Sequence, residues 1–131
     1  MYFDDLTFTK NSDLFMGKSI NINDDGFIYG NMFKDEYKPY KNYSVYKLKG
    51  KTDRENLLIK IMEENFIVTD LGLYLDLNPK DLDIYKCFKD HETKLREYID
   101  MYENKYESIT LNAKKDNYTW ENGPWPWEVD K

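Results

Sequence analysis

The sequence predicts a mainly α-helical fold: an antiparallel two-helix hairpin flanked by an extended, aromatic-rich N-terminal arm and a Pro/Trp-rich C-terminal tail. Three observations carry this expectation. Apolar residues recur at helical intervals only between about residues 53 and 106. The pair Asn78-Pro79 divides that stretch in two, because the residue before a proline avoids the helical region. Outside it, large rings occur with little Leu, Ile or Val to fill the space between them. The 131 residues suffice for one small core, read as an arm over residues 1–50 and a hairpin with tail over 51–131.

The arm holds 11 of the chain's aromatic residues, which total 12 Tyr, 7 Phe and 3 Trp. Neither a two-residue nor a helical period persists there, so the segment reads as extended, with turns at Asp24-Asp25-Gly26 and Gly30-Asn31. Seven acids and seven lysines cancel, leaving it with no net charge.

A helix is expected over about 53–77. Thr52-Asp53-Arg54-Glu55 fits a capping box, in which the threonine hydroxyl and the glutamate carboxylate each take an orphan backbone N–H. The apolar set Leu57, Leu58, Ile61, Met62, Phe66, Val68, Leu71, Tyr74 and Leu75 makes a stripe wider than one neighbour needs. Asn78 as N-cap and Pro79 at the first helical position predict a second helix over about 79–106. Its seam is Ile84, Phe88, His91, Leu95, Tyr98 and Tyr102, spaced alternately four and three. So short a connection makes the helices antiparallel neighbours, and Thr69 and Gly72 are read as small residues allowing close approach. Beyond Tyr106 the period decays. All three tryptophans fall in Trp120-Glu121-Asn122-Gly123-Pro124-Trp125-Pro126-Trp127, where the prolines favour an extended path.

Charge and composition narrow the function. The net charge of -6 lies wholly in residues 51–131, which argues against a general nucleic-acid binder. A single cysteine, Cys87, gives no disulfide framework and no cysteine-based zinc site. No apolar run approaches the roughly 20 residues of a membrane span, and the first residues lack the basic and apolar regions of a signal peptide. His91, the only histidine, sits on the helical seam and reads as a core imidazole rather than a general base. Phe88 stands where a Glu-x-x-His metal motif needs its glutamate, and Glu63, Glu64, Asp81 and Asp83 read as solvated faces and cap charges. No glycine forms a phosphate-binding loop and no serine a nucleophile elbow. The expectation is a non-enzymatic protein without catalytic, cofactor or metal residues.

What remains is recognition. Tyrosine and tryptophan give large, rigid contact area at low entropic cost, which makes them favoured interface anchors. Phe33, Tyr37, Tyr40 and Tyr43 of the arm and Trp120, Trp125 and Trp127 of the tail are the candidate protein-interface residues. The same rings suit a second reading, stacking on the sugars of a glycan. Two helices alone leave part of a wide apolar stripe in water, so the arm, the tail, a second copy or another protein must cover it.

The run Asn65-Phe66-Ile67-Val68-Thr69-Asp70-Leu71-Gly72-Leu73-Tyr74-Leu75-Asp76-Leu77-Asn78-Pro79, a Tyr-rich acidic helix and the closing Gly123-Pro124-Trp125-Pro126-Trp127-Glu128 together resemble the CotJB family of bacterial spore coat proteins, over about residues 53–131. In the arm, Gly30-Asn31-Met32-Phe33 and Tyr37-Lys38-Pro39-Tyr40 are faintly similar to elements of the CotJA family, with Asn31 and Lys34 where that family has Thr and Pro. The resemblance implies a structural coat component, made in the mother-cell cytoplasm and deposited on the forespore. It also implies a protein partner, the manganese-catalase-like coat protein CotJC, with self-association as a further possibility, and it carries over no catalytic residue.

Overall fold

The computed structural model describes residues 25–118 and Glu121. Along the chain come a single helical turn α1 (Gly26–Tyr29), a short 3-10 turn (Lys34–Glu36), and two long helices, α2 (Asp53–Leu77) and α3 (Leu82–Lys105). No β-strand occurs among the described residues.

The capping box forms as expected. The Thr52 hydroxyl accepts the Glu55 N–H at 3.2 Å, and the Glu55 carboxylate accepts the Thr52 N–H at 3.2 Å. At the other end the sequence expectation needs correction. Asn78 does not start the second helix; it closes the first, its N–H donating to Tyr74 O at 2.9 Å. Asp81 is the N-cap of α3, accepting the Ile84 N–H at 3.2 Å through Oδ1 while Oδ2 accepts the Tyr74 hydroxyl at 2.9 Å. That second bond ties the cap to the preceding helix, which explains why the later of two good capping residues is used.

The two long helices pack along each other, and their core falls into two clusters. Near the connecting turn, Ile67 and Leu71 of α2 meet Ile84 of α3, with Phe88, Cys87 and Leu75 around them. Near the open end, Ile61 meets Tyr98 and Tyr102, flanked by Leu57, Leu58 and Leu95. The seam read from α3 is thus the buried face, with Ile84, His91, Tyr98 and Tyr102 all sequestered. The α2 stripe differs in detail: Ile67, outside the expected set, is buried, whereas Met62 is 49% exposed. Gly72 does face α3, but a Cβ there would stand 3.5 Å from the Phe88 ring, an ordinary contact, so close approach does not require glycine. Thr69 is exposed and takes no part in the helix pairing.

Behind α3 the chain folds back onto the open end. The buried Glu103 carboxylate accepts the N–H groups of Ile109 and Thr110 at 3.0 and 3.1 Å and the Thr110 hydroxyl at 2.8 Å. Arg54 at the start of α2 donates to the Tyr102 hydroxyl at 2.9 Å and pairs with Glu107. These contacts fasten residues 107–110 across both helices.

Candidate protein-docking surface

The N-terminal segment is built from one residue outward. Met32 is 1% exposed and completes the cluster of Ile67, Leu71 and Ile84, filling the groove that two helices leave between them. Burying such a side chain contributes about 1.5–3 kcal/mol. Its backbone is held too, because the Met32 N–H donates to Asp70 Oδ2 at 2.9 Å. Local geometry aims it. Gly30 takes φ 76°, the left-handed region open to glycine, and ends α1 so that the chain reverses. Gly26 lies so close beneath that a Cβ there would stand 2.3 Å from Met32 Sδ. The segment expected to be extended is therefore a helical turn, a reversal and a plug.

Rings brace the plug on both sides. Phe27 lies 6.0 Å from Phe66, Phe33 lies 5.0 Å from Tyr74, and Tyr37 stands edge-on to Tyr29 at 5.1 Å. Of the candidate interface residues, Phe33 and Tyr37 are thus half-buried against their own chain. Tyr40 and Tyr43 face outward, at 83% and 60% exposed, joined by Tyr46 at 77%. Trp120, Trp125 and Trp127 lie outside the described residues.

From Lys38 to Lys51 the chain forms an exposed connection between the plug at one end of α2 and the cap at the other. Residues 37–52 contain five lysines and no acid. Lys47 is near enough to act on Glu63 of α2, where it opposes the rise in pKa caused by burial and by the adjacent Glu64. The outward tyrosines therefore stand on a basic strap that follows an acidic flank of α2.

Between the core clusters lies the most polar feature of the interior. His91 Nδ1 of α3 is 2.6 Å from Glu64 Oε2 of α2, with both residues buried. His91 is placed as expected, inside the helix pair, but Glu64 is not on a solvated face. Its spacing held the signal: Glu64 falls three residues after Ile61 and seven before Leu71, on the stripe itself. Burial also pushes the Tyr98 hydroxyl upward and the Cys87 thiol up to about 11, with the negative charges of neighbouring acids adding to each rise. Among the described residues no group of three or more His, Cys, Asp or Glu side chains could hold a metal ion, and no helix is long and apolar enough to cross a membrane.

Fold and surface together define a small helical protein that closes its core with its own N-terminal segment and presents tyrosines on a basic strap. A family model described as CotJB protein matches residues 55–128, more than half the chain. The chain belongs to the CotJB family, a family of spore coat proteins. The matched span takes in the hairpin and most of the tail, while the plug and strap precede it. No curated protein and no solved structure matches the chain.

Proposed function

We propose that this chain is a non-enzymatic structural and assembly protein of the bacterial spore coat, and that it binds another coat protein through its aromatic segments. The observation that carries the reading is the row Tyr40, Tyr43 and Tyr46, exposed at 83%, 60% and 77% on a strap whose base is anchored by Met32. Rings held out from a fixed base suit the anchor role, since little ordering remains to be done on binding. The strap's lysines favour an acidic partner surface with slots for planar side chains. Phe33 and Tyr37 hold the strap in place, and Trp120, Trp125 and Trp127 supply a second anchor. The partner the family resemblance favours is a manganese-catalase-like coat protein of the CotJC type.

Co-purification of the full chain with that partner tests the reading. Replacing Tyr40, Tyr43 and Tyr46 together by alanine should weaken capture at least about 30-fold, the effect of losing one strong hot spot or several modest ones. Trp125→Ala with Trp127→Ala examines the tail in the same way, with helical circular dichroism unchanged in both variants. Undiminished capture by both variants would overturn the assignment. A saturable tryptophan fluorescence response to peptidoglycan fragments, without partner capture, would favour glycan stacking instead.

A further inference from the structure

The α2 helix is apolar on more sides than its neighbours cover. One sector faces α3 and a second faces the plug. A third, formed by Leu58, Met62, Asn65, Phe66, Thr69 and Leu73, spans about 100° of the circumference at 100° per residue and carries no charge. Met62 is 49% and Leu73 61% exposed, Asn65 and Thr69 are exposed, and Leu58 and Phe66 are half-buried. From Leu58 to Leu73 the sector runs about 22 Å at the rise of an α-helix.

This sector reads alike from either end. Counting inward, Leu58 matches Leu73, Met62 matches Thr69, and Asn65 matches Phe66 at the centre. Counting outward, Glu55 matches Asp76, then Lys51 matches Lys80, which lies in the turn just past the helix. All four of these outer residues are exposed. A face meeting an unrelated protein has no need of such a pattern, whereas one meeting its own copy about a twofold axis does.

We propose that this face of α2 is an isologous dimer interface, in which two copies pair their α2 helices antiparallel, Leu58 opposite the partner's Leu73, to make a four-helix unit. Charge selects the direction. Antiparallel pairing sets Lys51 one turn from the partner's Asp76 and Glu55 one turn from the partner's Lys80, so each end brings together two acids and two lysines. Parallel pairing would set Glu55 on the partner's Glu55 and Asp76 on the partner's Asp76. Opposed helix dipoles favour the same arrangement. The centre is uncharged, and the Asn65 amides near the axis can bond across it and fix the register. A single helix pair is small for a specific interface, so the dimer should exchange with monomer. None of this depends on which coat protein the strap contacts, and failure here would leave that reading untouched.

Sedimentation equilibrium of the full chain over a concentration series tests the proposal. The native chain should show a reversible monomer–dimer equilibrium. Met62→Glu and Thr69→Lys should each weaken it by at least tenfold. Their combination should recover most of the loss, because each new carboxylate then faces the partner's new ammonium at two symmetric places. Leu73→Gln, at a residue already 61% exposed, should also weaken it without adding charge. Circular dichroism should show unaltered helix content throughout. A chain that stays monomeric, whether its own tail or another protein takes the face, overturns the proposal. So does a dimer indifferent to Met62→Glu, or a double variant weaker than either single one.

Discussion

Met32 and Cys87 show how burial at one position sets what a side chain can do. Met32 is enclosed by residues from both long helices, and Gly26 leaves no room for a methyl group beside its sulfur. Gly26→Ala should therefore force the plug to shift, lowering stability by about 1–3 kcal/mol, the usual cost of overpacking, as measured by urea unfolding. Cys87 is a half-buried thiol with a pKa pushed up to about 11, first by desolvation and then by the charge of Asp90. Iodoacetamide should modify it much more slowly at neutral pH than a free thiol, since the thiolate is the nucleophile. The same shift gives a pH dependence. The folded state holds the Cys87 proton more tightly than the unfolded chain, so this contribution is complete below the unfolded thiol's pKa and is lost as pH rises toward about 11. Thermal melts should show stability falling with pH in that alkaline window, and Cys87→Ala should reduce the slope.

Between the helices, the Glu64–His91 contact is a local polar bridge in an otherwise apolar seam, with a separation of 2.6 Å. Removing one partner leaves the other's polar group buried without it, at a cost of about 3–5 kcal/mol, while replacing both by packed apolar residues is often neutral or stabilising. Glu64→Leu and His91→Leu should each destabilise strongly, and the double variant should recover most of the loss, read from a double-mutant cycle in denaturant. Much of this level is legible in the sequence. The capping box at Thr52, the end of α2 at Leu77 and the seam of α3 follow from spacing and side-chain chemistry, and all three are present. The start of α3 is not, because Asn78, Pro79 and Asp81 are all plausible starters and only the tertiary bond from Tyr74 favours Asp81. Glu64 is hidden for a related reason: a carboxylate reads as solvent-facing until the opposing helix is known to bring a histidine to it.

At the scale of the whole chain, the paired helices are a frame that its N-terminal segment completes. The need for cover was visible in the width of the α2 stripe, but which residue supplies it was not. Local pattern points to the rings of residues 25–50, whereas the most buried of that segment is the methionine between them, selected by the shape of a groove between two distant helices. Phe33 and Tyr37 are then turned inward as braces, leaving Tyr40, Tyr43 and Tyr46 to face out. The tryptophans of the tail, equally prominent in the sequence, lie beyond the described residues.

Hydrogen exchange of the intact chain, followed by mass spectrometry, tests this architecture most directly. The Met32 amide, bonded to Asp70 and covered by the core, should exchange only when α2 and α3 open, whereas amides from Lys41 to Lys49 should exchange early. Loss of protection at Met32 at the pace of that connection would show that the hairpin is not closed by its N-terminal segment, and would contradict the account.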